Sequence, residues 1–151
     1  MPTWIPGTDC IISVDSTTGG SLVDYSADIS TISLDNNTTI GGFYTFGLSD
    51  EQTSEGKHTH PCSVGVRGST DAAGFYSVAT AWKYPGLGAK SGARSVRIQT
   101  PDSAVGSFQY DFEAFPENFK TIDGDAGGDG TPTVLPLSLR VNGDVTRTVI
   151  T

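Results

Sequence analysis

Short runs in which apolar and polar residues alternate cover much of the chain and predict a protein built mainly of β-strands. Cys10–Asp15 and Ser21–Ser26 flank a segment rich in Ser, Thr and Gly, which predicts an opening β-hairpin with a glycine-containing turn. The segment 28–35 starts irregularly and then alternates, as a strand with a β-bulge does. We therefore expect a mainly β fold.

The segment 107–115 alternates most clearly and predicts a half-buried strand with an acidic solvent face. Its two sides are the apolar Phe108, Tyr110 and Phe112 and the polar Gln109, Asp111 and Glu113. Two further runs, 133–141 and 145–150, are separated by Asn142-Gly143-Asp144. Because both central positions of an Asn-Gly turn tolerate positive φ, this spacing predicts a closing β-hairpin.

One segment has helical periodicity and predicts a short α-helix over about residues 71–83. Its apolar stripe consists of Phe75, Val78, Ala79 and Trp82. The candidate N-cap residues are Ser69, Thr70 and Asp71. Tyr84-Pro-Gly ends the helix, because proline disfavours helical geometry in the preceding residue.

Leu48–His60 is polar and has no periodicity, so we expect a long surface loop, which in a compact domain is usually functional. The remaining pattern is that of one domain over residues 10–151, preceded by an extended N-terminal arm of residues 1–9. The length of 151 residues allows such a domain to fold without staples.

Charge and composition narrow the function. The 17 acidic and 9 basic residues give a net charge of −8, which argues against affinity for nucleic acid. No apolar run approaches the roughly 20 residues needed to span a bilayer, and the first residues lack the features of a signal peptide. We expect a soluble protein made in the cytoplasm, with no membrane partner and with Cys10 and Cys62 as free thiols.

The candidate chemistry is weak. His58, His60 and Cys62 are metal-ligand types that would share a face in an extended segment, but no fourth ligand is evident. The acidic, glycine-rich segment 123–130 does not have the ligand spacing of an EF-hand, because Val134 stands where a glutamate is needed. No nucleophile with a base partner and no phosphate-binding loop occurs. We expect no cofactor, no metal site and no enzymatic activity.

In their order along the chain, these segments resemble the major tail protein (tail tube) family of long-tailed, non-contractile bacteriophages. The resemblance covers roughly residues 10–151 and excludes the segments 115–120 and 123–130, which have no counterpart. It rests on Val14-Asp15, Gly19–Ser26, Ile29–Leu34, Tyr44–Gly47, Val64–Gly68, the helix, Val96–Pro101, Gly106–Phe112 and Arg140–Arg147.

The resemblance implies a β-sandwich or split barrel with one flanking helix. It also implies six-membered rings of identical copies, stacked into a hollow tube around a tape measure protein, with tail terminator and initiator proteins as further partners. The tube would belong to the virion tail, be assembled in the host cytoplasm, and conduct DNA without binding it specifically. The candidate side chains facing the lumen are Gln109, Asp111 and Glu113.

The resemblance assigns the long segment after Gly47 to contacts between rings. The candidates there are Leu48, Asp50, Glu51, Glu55, Lys57 and His58. Trp4 and Ile5 in the N-terminal arm form a second candidate contact, because apolar anchors on an extended arm need a partner surface.

Two other functions fit a β-rich composition. A capsid decoration protein would form trimers on a shell. A carbohydrate-binding module of a virion or surface assembly would use Tyr76, Trp82 and Tyr84 as a sugar platform. The position of Trp82 on the apolar stripe of the predicted helix argues for core packing instead.

Overall fold

The computed structural model describes residues 9–47 and 49–151, so Trp4, Ile5 and Leu48 lie outside the described residues. The described chain contains nine β-strands and one α-helix. The strands are β1 (Ile11–Asp15), β2 (Leu22–Asp24), β3 (Ile29–Leu34), β4 (Asn37–Phe43), β5 (Gln52–Thr59), β6 (Pro61–Arg67), β7 (Arg94–Thr100), β8 (Phe108–Phe119) and β9 (Val134–Val149). The helix α1 spans Phe75–Lys83, and a short 3-10 turn spans Ser26–Asp28.

Seven strands form one antiparallel sheet in the order β2-β1-β7-β8-β9-β6-β3, curled into a half-barrel. The strands β4 and β5 form a separate two-stranded sheet. The prediction of a mainly β fold with one short helix beside the sheet is therefore confirmed.

The core lies between one face of the seven-stranded sheet and α1. Alternation places apolar side chains on this face, and Phe75, Ala79 and Trp82 of α1 cover them. Trp82 is only 1% exposed, and its indole N–H donates to the Gly92 carbonyl at 2.9 Å. Because this N–H finds a partner, burying the largest side chain of the core leaves no polar group unpaired there.

The N-terminal half of the sheet follows its sequence pattern. The strands β1 and β2 pair as the predicted hairpin, and Gly19 in the turn has a φ of +74°. The register of β3 against β6 shifts between Ile29 and Thr31, which confirms the predicted bulge. Local alternation is a sufficient guide here because one face of each strand meets the core.

The helix begins at Phe75, later than the expected start near Asp71. The expected capping by Ser69, Thr70 or Asp71 is also wrong. Asp71 accepts a hydrogen bond from the Ala73 N–H at 3.0 Å, in a turn before the helix. Instead, the N–H of Phe75 donates to Asp28 at 3.0 Å, so a residue distant in sequence satisfies the first helical donor.

The predicted closing hairpin at Asn142-Gly143 is wrong, because β9 runs through this position without turning back. Glu113 of β8 lies opposite Asn142, and Asp111 lies opposite Thr146, so β9 carries extra residues between these two pairs. Gly143 has a φ of +84° and accommodates the resulting bulge. Pairing with β8 on both sides of the bulge outweighs the local preference for a turn.

The predicted loop over residues 48–60 is wrong from Gln52 to Thr59, where the chain forms β5. Alternation is missing from this strand because both of its faces are exposed, so nearly every residue in it meets solvent. The pairing with β4 that makes it a strand is not visible in its own composition.

Candidate functional site

The strands β4 and β5, with the turn between them, form a hairpin that we call the arm. No residue of β4 is buried, and Ile40, Phe43, Tyr44 and Phe46 on the arm are exposed. A two-stranded hairpin that covers no core is marginally stable in water. Large apolar side chains at such a place indicate a surface that another molecule covers.

The arm is a continuation of the ribbon that β3 and β6 form in the main sheet. Leu34 lies opposite Cys62, and three residues further along Asn37 lies opposite Thr59, so the register does not change. The ribbon bends where Asp35 and Asn36 face His60, and the Asp35 N–H donates to the Pro61 carbonyl at 2.9 Å. The bend carries β5 away from the sheet and leaves a cleft of about 890 Å³ between them.

The arm also carries the described residues that were predicted to contact a neighbouring ring. These are Asp50, Glu51, Glu55, Lys57 and His58, and all of them are exposed. On β5, Nε2 of His58 lies 3.1 Å from Oε1 of Glu55, within hydrogen-bonding distance. The structure thus gathers the predicted contact residues on one projecting element, and their contact with another ring stays a prediction.

The second candidate surface is the polar face of the seven-stranded sheet, which no helix covers among the described residues. Gln109, Asp111 and Glu113 lie together on this face, opposite Gln99, Arg97 and Ser95 of β7. We call these six residues, with Asn142, Thr146 and Thr148 of β9 opposite them, the polar face.

Hydrogen bonds link the side chains of the polar face. Nε of Arg97 is 2.7 Å from Oδ1 of Asp111, and the amide of Gln109 donates to the other oxygen of Asp111 at 2.7 Å. The amide of Gln99 in turn donates to Gln109 at 3.0 Å, and the Ser95 hydroxyl donates to Glu113. Arg97 offsets the charge of Asp111, so Glu113 keeps this part of the face acidic.

Arg97 was not singled out from the sequence, although its position in the alternating run 94–99 could have indicated it. The cross-strand register that brings it to Asp111 is decided by the sheet.

Comparison with solved structures finds chains that share this fold, including the half-barrel and the arm. A chain of the anti-feeding prophage (AFP) baseplate matches with a TM-score of 0.74 and 14% identity, and the match covers 99% of both chains. A chain of the sheath/tube terminator of the PVC extracellular contractile injection system matches with a TM-score of 0.75 and 12% identity, again over 99% of both chains. The SPP1 tail tube matches with a TM-score of 0.69 and 14% identity, over 96% of this chain and 79% of that one.

The chain has the fold of tail tube proteins. No family model and no curated protein sequence matches it, so the likeness is one of structure. The matched chains come from structures of a phage tail tube and of contractile injection systems.

On this tail tube fold the suspected metal ligands do not form a site. His58 uses both ring nitrogens within the arm, since Nδ1 lies 2.9 Å from the Thr38 hydroxyl and Nε2 contacts Glu55. Cys62 is buried in the core, and burial raises the pKa of its thiol to about 12. Among residues 9–47 and 49–151, no group of three or more His, Cys, Asp or Glu side chains is arranged to hold a metal ion.

The tail tube fold also separates the three rings of the suggested sugar platform. Trp82 is in the core, and the Tyr76 hydroxyl donates to the Thr121 carbonyl at 2.8 Å. Tyr84 alone of the three is exposed. Packing of Trp82 in the core confirms the interpretation drawn from the apolar stripe.

Within the described part of the chain, no helix is long and apolar enough to cross a bilayer.

Proposed function

We propose that this chain is the structural subunit of a hollow tail tube, in which six copies form a ring and the rings stack. The observation that carries the proposal is the likeness of fold to a chain of the PVC sheath/tube terminator structure over 99% of both chains, a span that includes the arm, together with the match to the SPP1 tail tube. A partner-free hairpin that exposes Phe43, Tyr44 and Phe46 is difficult to explain in a solitary protein, and subunit contacts explain it.

The polar face lines the bore in this proposal. A curled sheet with one apolar and one polar side turns its polar side toward water. In a tube, the water that fills the channel would solvate this side. Gln109, Asp111 and Glu113 would face the passing DNA, and because Arg97 offsets the charge of Asp111, Glu113 gives this wall its negative charge in each of the six subunits. Such a wall repels phosphates, so DNA slides through without specific binding.

The number six is supported by the AFP baseplate, whose reconstruction is 6-fold symmetrised. A repeated contact between unlike surfaces of identical copies closes into a ring when its rotation angle permits. The predicted partners follow from this assembly: a tape measure protein inside the tube, and initiator and terminator proteins at its ends. We place the assembled tube in the virion tail, with assembly in the host cytoplasm.

The arm provides the contacts between stacked rings through Asp50, Glu51, Glu55, Lys57 and His58, and Leu48 is assigned to the same contacts from the sequence. Trp4 and Ile5 of the N-terminal segment form the second contact. Leu48, Trp4 and Ile5 lie outside the described residues, so they enter the proposal from the sequence.

The proposal covers tubes with and without a contractile sheath, because the matched structures include contractile injection systems as well as the SPP1 tail tube. A ring that ends a tube is the second candidate, favoured by the matches in the PVC terminator and the AFP baseplate. A tube subunit polymerises into filaments, whereas an end protein stops at one or two rings.

Electron microscopy of the purified full-length chain tests the proposal. We expect hollow filaments with a stain-filled channel. The matched variant replaces residues 37–59 by a two-residue turn, which removes the arm and retains the paired ends of β3 and β6. Because the arm covers no core, this variant should keep its cooperative unfolding and melting temperature but form no filaments.

Isolated rings would favour the end protein. Trimers that bind a capsid shell would favour the decoration protein. Globular particles without a channel, or filaments formed equally well without the arm, would contradict the proposed function.

A further inference from the structure

We propose that Asp111 keeps the Arg97 guanidinium from binding phosphate groups, so that the polar face contains an arginine and still does not hold nucleic acid. This inference rests on the proposed function, in which the polar face lines the bore, and it names the contact that decides how this wall interacts with passing DNA. It follows from the position of one cation among acidic and neutral side chains.

Arg97 lies in the middle of the polar face. On β7 it is opposite Ser13 of β1 on one side and Asp111 of β8 on the other. It is the only cation among the residues that define the polar face, and its side chain is 38% exposed. A planar guanidinium with several N–H donors is well suited to bind phosphate oxygens. On the wall of a DNA channel, such a group holds phosphate unless another anion occupies it.

Asp111 is the anion that occupies it. Nε of Arg97 lies 2.7 Å from Oδ1 of Asp111, and the Gln109 amide donates to Oδ2 at 2.7 Å. The Gln99 amide in turn donates to Gln109 at 3.0 Å. Both carboxylate oxygens are therefore held, which fixes Asp111 directly across the strand pair from Arg97. Because a half-exposed ion pair adds little to the stability of a fold, its main consequence is for the charge that the face presents.

The pair lines a shallow depression of about 430 Å³ on the polar face. Among the described residues that line it, Arg97 is the only cation, and Asp111, Glu113 and Asp144 are the anions. One positive and three negative groups give a net charge of −2. Removing the charge of either Asp111 or Glu113 leaves −1. Only the first change frees the guanidinium, so the two changes are equal in charge and differ in the state of Arg97.

Repetition in the proposed tube makes this contact matter. A single free arginine binds a phosphate weakly, but the tube would present one in every copy of every ring. DNA carries one negative charge per roughly 1.7 Å of its length, so each ring would find a phosphate close to its wall. Many weak contacts along one molecule add up to retention. A carboxylate opposite each Arg97 removes this contact throughout the bore.

Retention of DNA by filaments tests the inference. The chain is assembled in the presence of a short, fluorescently labelled DNA duplex, and the filaments are pelleted at low ionic strength. Asp111→Asn removes the charge and keeps the shape of the side chain and one oxygen acceptor. We expect Asp111→Asn filaments to retain several-fold more DNA than wild-type filaments, and the excess to disappear when salt is added.

The matched control is Glu113→Gln, which makes the same change in net charge and leaves Arg97 paired. Its filaments should retain DNA at close to the wild-type level. Asp111→Asn combined with Arg97→Gln should also return to that level, because the phosphate-binding group is gone. All three side chains lie on the solvent-facing side of the sheet, so melting temperatures close to that of the wild type verify folding.

A titration of the free subunit with inorganic phosphate tests the same contact without a tube, because no described helix covers the polar face. The Nε–H resonance of Arg97 is followed by NMR at constant ionic strength. We expect this resonance to shift with phosphate in Asp111→Asn and to shift several-fold less in the wild type and in Glu113→Gln.

Equal retention of DNA by Asp111→Asn and Glu113→Gln filaments would overturn the inference and leave the proposed tube intact. An Arg97 resonance that responds to phosphate equally in the wild type and in Asp111→Asn would overturn it as well. Absence of filaments, together with a response to phosphate in Asp111→Asn alone, would reject the tube and support the role of Asp111.

Discussion

The main sheet and the arm are made of the same β-ribbon and differ in what their side chains touch. Along β6 the ribbon buries Cys62, Val64 and Val66, whereas along β4 it buries no residue. The register carries over from the Leu34–Cys62 pair to the Asn37–Thr59 pair and shifts within the arm beyond Thr38. Antiparallel pairing is therefore common to both parts. They differ because α1 forms a second layer over one face of the main sheet, whereas no described element covers the arm.

The energetic consequence is large. Burying one large apolar side chain contributes about 1.5–3 kcal/mol. Trp82, Phe75 and Leu137 contribute in this way within a single copy. The exposed Phe43 and Phe46 of the arm contribute only when another surface covers them. The sheet stabilises the single copy, whereas the apolar area of the arm remains exposed.

The largest expected effect contrasts the two regions directly. Trp82→Ala should lower the free energy of unfolding by about 3–5 kcal/mol, because it leaves a cavity in the core. It also removes the indole ring over which the Arg94 guanidinium lies, with Cζ 5.1 Å from the ring centroid. Phe46→Ala on the arm should change the free energy of unfolding by less than about 0.5 kcal/mol. Urea unfolding of the monomeric subunit measures both.

A comparable loss from Phe46→Ala would mean that the arm packs on the sheet of its own copy in solution. The comparison between sheet and arm would then fail.

A medium effect is expected at the start of α1. Asp28→Ala removes the acceptor for the Phe75 N–H and should cost about 1 kcal/mol, as the loss of a helix cap does. Asp28→Asn keeps an oxygen acceptor and should cost less. Thermal unfolding followed by circular dichroism measures both variants. Equal stability of the wild-type chain and Asp28→Ala would show that this distant contact does not hold the helix.

The smallest effect concerns pH, at the connection between β7 and β8. The Ser107 hydroxyl and then the Ala104 N–H donate to Asp102, and these hydrogen bonds lower the pKa of its carboxyl below the ordinary 3.8. A carboxyl with a lowered pKa stabilises the fold above its unfolded pKa and loses this contribution as pH falls through the folded value. Asp102→Asn should therefore be slightly less stable than the wild type at pH 7.

This difference should shrink toward pH 3, and urea midpoints at the two pH values measure it. A difference that stays constant or grows on acidification would contradict the assigned hydrogen bonds.

Sequence reasoning worked where one side of an element meets the core. The alternation of residues 107–115 identified Gln109, Asp111 and Glu113 as one face, and the helical stripe placed Trp82 in the core. It failed at Asn142-Gly143, where a strong local turn signal lies within a 16-residue strand. It also failed over Gln52–Thr59, where both faces are exposed and no alternation marks the strand.

The same holds for the two candidate surfaces, because only part of each could be predicted from the sequence. Period-two alternation places the acidic residues of the polar face on one side without any knowledge of the sheet. Their partner Arg97 comes from another strand, and only the register of β7 against β8 brings it within 2.7 Å of Asp111. Likewise, the residues of the arm that are predicted to make contacts lie close together in sequence, but their separation from the main sheet depends on the break in pairing beside Pro61.

By itself the sequence determined the mainly β composition, the single short helix, the acidic character and the sidedness of the central strands, because all of these follow from local periodicity and charge. Only the tertiary structure decided that β9 continues through its glycine, that Asp28 caps the helix, and that β5 pairs with β4 in a separate sheet instead of with any described strand of the main sheet. These features depend on hydrogen bonds between residues far apart in the chain, and such pairings have no signature in any single segment.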